Sequence, residues 1–352
     1  MKYLKLLLVV VVVGILLFFF LKNVNFHEVI DSIKAVNPLY PLVFLLGLYI
    51  QLFIRGYRWG LILKSHKSKI PLLTLYNYTV IGFFLNVILP GKIGEPAKGI
   101  LLAGEEKISR STGLASVVLE RLIDFLMIVL LFLTSLFFIK SNQSPLLVSL
   151  KKISFFVFPI ILFFFFLFYL VNTGRVFIYV EKVIRGLARI LPQRFRERAI
   201  GFGINFVKGL RLNLSVVDYV KLLLASIMVW LFLVPFYWFL MQGFTFGGNV
   251  GVLESIPYFS VIVASASVPT PGMAGSFDIV SREVLRSSAY NASVNEAVAY
   301  TVLAHFLILV VMVIPGLTAS WVKGINMKTI RNIKHRNETG DQPADSGASA
   351  PE

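Results

Sequence analysis

Glu120, Arg121 and Asp124 fall inside one apolar stretch, residues 112–138. A spacing of four puts both carboxylates on one face of a helix, and Arg121 can pair with Asp124 or reach a neighbouring helix. An ionised side chain at the centre of a membrane helix costs roughly 2.5–3.5 kcal/mol, so such a cluster must face other protein and have partners. It reads equally as an internally neutralised lock between helices and as a direct ligand contact. Two related phrases carry further polar groups, Pro90-Gly91-Lys92-Ile93-Gly94-Glu95-Pro96 and Pro269-Thr270-Pro271-Gly272-Met273-Ala274-Gly275-Ser276-Phe277-Asp278. Each interrupts a strongly apolar stretch. Irregular backbone at bilayer depth is tolerated only where it is buried in protein or lines a wet cavity.

At the first break Glu95 has the pattern of an N-cap with Pro96 at the first helical position; at the second, Ser276 has the pattern of a cap for a helix beginning at Phe277, with Asp278 in its first turn. Two helix N-termini meeting near the midplane, reinforced by Lys92, would form an anion site suited to a phosphate. Glu95 and Asp278 complicate that reading, since carboxylates there could satisfy the amides themselves, take up protons or contact a cationic headgroup. Asn86 reads as a donor from the hairpin arm or as a helix-to-helix hydrogen bond. His305, near the middle of the last apolar stretch, reads as a packing residue in preference to a proton relay. Arg55 and Arg58, with Trp59, fall at the end of the second apolar segment and read as lipid-phosphate contacts or, more commonly for such a set, as an interfacial anchor.

The elements that must position these residues are membrane helices. Of the 352 residues 57% are hydrophobic, 15% are charged and 32 are Phe, which indicates a multi-pass integral membrane protein. The absence of cysteine excludes disulfides, thiolate metal sites and a cysteine nucleophile, and the four histidines lack metal-binding spacing. No phosphate-binding loop or dinucleotide fingerprint occurs, and neither a metal nor a cofactor is expected. The net charge of +16 sits in short basic segments beside apolar runs, which fits loops touching anionic lipid and not nucleic acid.

Apolar segments lie near 6–21, 39–54, 72–89, 112–138, 153–171, 219–241, 252–269 and 296–316. The first follows Lys2 and Lys5 without a small-residue cleavage site and reads as an uncleaved helix. Basic segments 55–69, 175–211 and 323–336 should share the cytoplasmic side, whereas 242–252, without Lys or Arg, should lie outside. If every segment crossed once, 55–69 and 175–211 would fall on opposite sides. Treating 72–104 as a hairpin that turns at Pro90-Gly91 removes the conflict, and a second hairpin turning at Pro271-Gly272 enters from the other face. The expected fold is an all-α polytopic bundle with about six full crossings, two oppositely oriented re-entrant hairpins in an inverted repeat, and both termini cytoplasmic. The competing reading makes each Pro-Gly an ordinary surface loop. Residues 1–322 form the membrane domain, and 323–352 a basic, then disordered, tail. Within 175–215, Val183, Ile184, Leu187, Ile190 and Leu191 share an apolar face beside Lys182, Arg185, Arg189, Arg194, Arg196 and Arg198. That is the pattern of an interfacial helix on an anionic leaflet, or of a docking surface for a cytoplasmic partner.

The run Asn86 to Pro96, the Glu120-Arg121-Leu122-Ile123-Asp124 cluster, the Ser267 to Asp278 run and Arg55-Gly56-Tyr57-Arg58-Trp59 resemble the lysylphosphatidylglycerol synthase transmembrane region, a flippase-like membrane family. The likeness spans roughly residues 5–325. It implies a plasma-membrane protein of bacteria or archaea, in a family whose best-known members move an aminoacylated phospholipid between leaflets. Those members carry a soluble aminoacyl-transfer domain after the membrane region; here only a short tail follows residue 322, so lipid aminoacylation is not expected of this polypeptide. The expected function is movement of a phosphate-containing polar lipid through a midplane cavity. Its partners would be membrane lipids with anionic headgroups, with Lys92 and Arg121 at the phosphate and Glu95 and Asp278 in proton coupling or amine contact. The alternatives are a membrane transferase in glycolipid or polyprenyl-phosphate metabolism, and a non-transporting scaffold for a lipid-synthesis enzyme.

Overall fold

The computed structural model describes residues 2–67, 69–89, 91–138, 177–190, 192–268 and 270–325, with Pro159 in isolation. Pro90, Pro269, the apolar segment 153–171 and the tail from 326 lie outside the described residues. The described chain is helical, with α1 (Lys2–Leu21), α2 (Phe26–Ala35), α3 (Leu39–Leu63), α4 (Leu72–Ile88), α5 (Gly94–Glu105), α6 (Arg110–Phe138), α7 (Phe177–Ala188), α8 (Gln193–Gly209), α9 (Val216–Leu231), α10 (Val234–Met241), α11 (Ser255–Ser265), α12 (Ser276–Arg286) and α13 (Val294–Val322). Short 3-10 turns occupy Thr245–Asn249 and Pro271–Met273.

Three stretches are long and apolar enough to cross a membrane: Leu39–Leu63, Val216–Met241 (α9 and α10 together) and Val294–Val322. The end of α1 and α2 form a fourth if taken as one span bent by 77°. The bend has a local cause. Asn25 caps α2 by accepting from the His27 amide at 3.1 Å, while its side-chain amide donates to Glu28 at 2.8 Å. Helix α2 lies in the polar gap between two apolar runs, where no apolar segment was expected, and the apolar segment 219–241 is divided between α9 and α10.

Hydrogen bonds between distant residues define two ends of the bundle. At one end Lys64 pairs with Asp218 at 2.7 Å, Lys67 with Glu106 at 2.6 Å and Lys323 with Glu105 at 2.6 Å. At the other, Asn295 accepts from the Asn25 amide at 3.0 Å, Glu296 accepts from the Thr245 amide at 3.2 Å, and Tyr290 donates to the Glu254 carbonyl at 2.8 Å. Lys64 and Lys67 after α3, the start of α9 and Lys323 after α13 therefore gather at one end. The open ends of the α4/α5 pair lie there as well, and those of the α11/α12 pair lie at the opposite end.

The packing repeats under an exchange of halves. α3 packs on α4, α4 on α5 and α5 on α6; likewise α10 packs on α11, α11 on α12 and α12 on α13. Across the halves, α4 packs on α13 and α11 on α6. Swapping α3 with α10, α4 with α11, α5 with α12 and α6 with α13 leaves this pattern unchanged. The two helix–break–helix units thus occupy equivalent positions, each against the helix that follows the other.

The basic linker is two helices instead of one. Ile184 of α7 turns toward Gly203 of α8, whereas Val183, Leu187 and Ile190 remain exposed, so the apolar face read from sequence is divided between a packed edge and an open one.

Candidate functional site

The geometry starts from α3, whose Gln51, Arg55, Arg58 and Trp59 follow helical spacing on one buried face, and from α6, whose Ser116, Glu120 and Asp124 do the same. The two faces interlock. Trp59 donates to Ser116 at 3.0 Å, Arg58 pairs with Glu120 at 3.3 Å and with Asp124 at 2.6 Å, and Arg55 lies 3.5 Å from Asp124. Arg58 and Glu120 are both 0% exposed. This corrects the interfacial reading of Arg55 and Arg58: both guanidinium groups are drawn inward because the α6 carboxylates would otherwise be buried without counter-ions. Arg55 also sits 4.8 Å from the ring of Trp230, whose indole donates to Asp124 at 3.2 Å.

The first break adds the remaining charges. Lys98, one turn into α5, pairs with Glu120 at 2.5 Å and lies 4.6 Å from the Trp59 ring. The α5 backbone comes close enough to α6 for this because Gly99 and Gly113 face each other; a Cβ on Gly113 would stand 2.2 Å from the Gly99 carbonyl oxygen. Arg121 bridges three carboxylates, Glu95 at 3.1 Å, Glu120 at 3.2 Å and Asp124 at 2.8 Å. Five cations, Arg55, Arg58, Lys92, Lys98 and Arg121, stand against three carboxylates, Glu95, Glu120 and Asp124. The surplus shows in the hydrogen bonding too, since Arg58 Nε and Arg121 Nε are buried without an acceptor.

Backbone geometry at the breaks is repeated. Gly91 and Lys92 both take positive φ, at 81° and 54°, and Gly272 and Met273 do so at 58° and 62°. The capping differs from expectation at both. Helix α5 begins at Gly94, with Ile93 as its N-cap, and Asn86 supplies the cap by accepting from the Gly94 amide at 2.9 Å. Glu95 is therefore not the cap; its carboxylate is drawn to Arg121, and Pro96 sits inside the first turn. Helix α12 begins at Ser276, with Gly275 at the N-cap position (φ 82°) and Asp278 accepting from the Gly275 amide at 2.8 Å. Ser276 is inside the helix, and its hydroxyl donates to the Met273 carbonyl at 3.2 Å.

The breaks meet across one cavity of about 400 Å³. Lys92 donates to the Ala266 carbonyl at 2.9 Å, tying the first break to the end of α11. Arg55, Asn86, Lys92, Glu95, Arg121 and Asp124 form the polar part of the wall, with Gly272 of the second break opposite, and apolar side chains including Leu48, Phe83, Phe259, Ile308 and Met312 complete it. Arg121 retains 35% side-chain exposure, far more than Arg55 at 7% or Arg58 at 0%. Pro271 lies in the 3-10 turn of the second break, and Gly91, with no heavy atom within 4 Å of a built Cβ, is shaped by its dihedral and not by crowding. Glu95 and Asp278 do not pair. Asp278 instead contacts His305 at 2.7 Å.

Of the expected residues, the structure gathers Arg55, Asn86, Lys92, Glu95, Arg121 and Asp124 at the cavity wall and places Arg58 and Glu120 behind them. Ser276 and Asp278 belong to the second break's own capping network. Lys98 and Trp230 join the site without having been among the expected residues. Lys98 was detectable as a lysine isolated within the small and apolar residues of Ala97–Ala103; Trp230 carried no signal distinguishing it from an interfacial tryptophan. Among the described residues no three His, Cys, Asp or Glu side chains converge to hold a metal ion.

No curated protein matches the chain. The family model described as the lysylphosphatidylglycerol synthase TM region matches residues 6–316, which include all four runs quoted for the resemblance. With helices able to span a bilayer and this match, the chain is a multi-pass membrane protein belonging to the lysylphosphatidylglycerol synthase transmembrane-region family.

Proposed function

We propose that the protein is a lipid flippase that passes a phosphate-containing headgroup through the cavity between the two breaks while the acyl chains stay in the bilayer. The observation that carries this reading is a cavity whose wall is part cationic and part apolar, with Arg121 35% exposed on it and more cations than carboxylates around it. Such a surplus fits an anionic phosphate, which could accept charge-assisted hydrogen bonds from the exposed part of the Arg121 guanidinium. The site is built from helix faces locked by buried ion pairs, so its polar groups need little reorganisation to meet a headgroup.

The opposite placement of the hairpins' open ends supports an inverted repeat of re-entrant hairpins, with breaks near the midplane as in secondary transporters. The gathering of Lys64, Lys67 and Lys323 at one end supports a cytoplasmic assignment for that end and for both termini. In this reading the protein sits in the plasma membrane and has no enzymatic step of its own. Its partners are lipids, and an enzyme that makes the lipid would act upstream.

The test is reconstitution into liposomes containing fluorescent phosphatidylglycerol, phosphatidylcholine or an aminoacylated phospholipid. The reading expects movement of a phosphate lipid above the rate of empty vesicles, with headgroup preference. Equal rates with and without folded protein, for all three lipids, would remove it. Turnover of a polyprenyl-phosphate or glycolipid substrate into a new product by the same preparation would favour the transferase instead.

A further inference from the structure

His305 ties the last helix to both sides of the second break. Its Nε2 lies 2.7 Å from the Gly272 carbonyl oxygen and its Nδ1 lies 2.7 Å from Asp278 Oδ1, while Asp278 Oδ2 accepts from the Gly275 amide at 2.8 Å. The residues are buried, His305 at 8% exposure and Asp278 at 5%. Gly272 takes positive φ and lines the cavity, as does Phe277, whose ring stands 5.0 Å from the His305 ring. The contact network therefore runs from the helix interior to the cavity wall.

The hydrogen-bond inventory fixes a proton count. A carbonyl only accepts, so Nε2 must carry a hydrogen to bond Gly272. The opposite nitrogen faces a carboxylate oxygen, and that contact also needs a hydrogen, on Nδ1 or on Asp278. A neutral imidazole beside an ionised carboxylate has one hydrogen for these two contacts. The pair as arranged thus holds one proton more, and its loss would leave two acceptors facing each other at one of the contacts.

We propose that Asp278 and His305 form a proton-binding site that clasps the second break to α13, and that release of the proton frees the break at Gly272. On the reading of the cavity as a lipid path, this clasp couples lipid movement to a pH gradient. It also relocates the proton role expected of Glu95, which is held by Arg121.

The neighbouring elements leave Asp278 as the charged group facing the imidazole. On α12, Arg282 donates to the Phe19 and Phe20 carbonyls that end α1, and Glu283 pairs with Arg282 and Arg286. On α2, Glu28 is bonded to Asn25 and Asn295, with His27, Asp31 and Lys34 on the same short helix. On α4, Tyr78 donates to Glu105, which also holds Lys323 of α13, and Tyr76 stacks on Phe53; on α3, Arg55 and Arg58 are committed to α6 and Tyr40 packs on Phe239. On α13 itself, Glu296 bonds Thr245 and Tyr300 donates to the Tyr237 carbonyl at 3.3 Å.

The absence of native cysteine makes a clean test. Thr270→Cys places one thiol beside the break on the cavity wall, and Val216→Cys, at a position 79% exposed, serves as reference for thiolate reactivity. Maleimide labelling of each in proteoliposomes is followed from about pH 6 to about pH 9, bracketing the ordinary histidine range. The expected result is a Thr270→Cys rate that rises about tenfold more than the reference, the population change given by losing one hydrogen bond, with the excess absent in the His305→Gln background. A rate that tracks the reference throughout overturns the clasp.

Imidazole nitrogen NMR on histidine-labelled protein, assigned with His305→Gln, reads the proton directly. A second or shared ring proton, or a protonated Asp278 carboxyl read from its carbon shift, at the acidic end supports the site, whereas a bare ring nitrogen beside an ionised Asp278 across the whole range overturns it. Neither measurement depends on lipid flux. Labelling and NMR as expected, in vesicles that move no lipid, would support the proton site and refute the transport reading; lipid movement with flat labelling and a bare nitrogen would do the reverse.

Discussion

At the first break Gly91 and Lys92 take positive φ ahead of α5, and at the second Gly272 and Met273 do so ahead of α12. The same turn is then closed in different ways. At the first, Asn86 on the preceding arm caps the helix, which leaves Glu95 and Lys92 free to reach other elements: Glu95 to Arg121 on α6, Lys92 to the Ala266 carbonyl. At the second, Asp278 caps its own helix and is then held by His305, so its charge stays within the break. One break is open and tied to the cation cluster; the other is self-contained and tied to a titratable group. A repeated backbone turn thus sits in two electrostatic settings, and on the proposed reading one serves binding and the other clasping.

Experiments can break this contrast in order of expected effect. The largest is Glu120→Ala, which leaves buried Lys98 without its carboxylate and Arg58 with Asp124 alone, and should destabilise the protein by about 3–5 kcal/mol, the usual result of removing one partner of a buried pair. Thermal unfolding in detergent measures it, and a loss below about 1 kcal/mol would show that the cluster is better hydrated than its burial indicates. Next is Gly94→Ala. A Cβ there would lie 2.0 Å from the Gly82 carbonyl oxygen, so the hairpin arms must separate, at a cost of about 1–3 kcal/mol. Asn86→Ala removes only the cap of α5 and should cost about 1 kcal/mol, with Asn86→Asp restoring most of it. Equal stability of Asn86→Ala and wild type would mean that water or another group replaces the cap.

The smallest effect lies at the basic end. His66, in the loop after α3, is near the Gly209 carbonyl at 3.2 Å. Burial pushes its imidazole below the ordinary histidine value, and the Gly209 carbonyl partly offsets this. A folded-state value below the unfolded one favours the neutral ring, so this contribution to stability is complete above the ordinary histidine range and is lost as pH falls through the lower, folded value. Unfolding midpoints should therefore decline toward mild acid, and His66→Gln should flatten that slope. An unchanged slope would place the pH dependence elsewhere.

Much of the architecture could be read from the chain because charge and apolar length carry topological information. The repeated Pro-Gly phrase located both breaks between helices, at Gly91-Lys92 and at Gly272-Met273. Helical spacing left Arg121 to pair with Asp124 or to reach a neighbour, and it does both, holding Asp124 and Glu95. What escaped was set by contacts between distant segments. Arg55 and Arg58 resemble an interfacial anchor until α6 is laid against α3. Glu95 carries the pattern of a cap, but a cation on another helix outcompetes the local amide for it. His305 was legible as a hydrogen-bonded residue; that it spans both sides of the second break depends on α12 and α13 packing together, which no local pattern records.

The central claim is that Arg121, the exposed member of the cation cluster, receives the lipid phosphate. Arg121→Gln tests it with both buried carboxylates still paired, Glu120 with Arg58 and Lys98 and Asp124 with Arg55 and Arg58; only the cavity-facing Glu95 loses its ion pair, so Glu95→Gln/Arg121→Gln is measured beside it. The measurement is the rate of fluorescent phosphatidylglycerol movement in proteoliposomes of wild type and Arg121→Gln, matched for folded protein. The account predicts movement by wild type and a loss of at least about tenfold in the variant, the worth of one charge-assisted contact. Equal rates in the two proteins would contradict it.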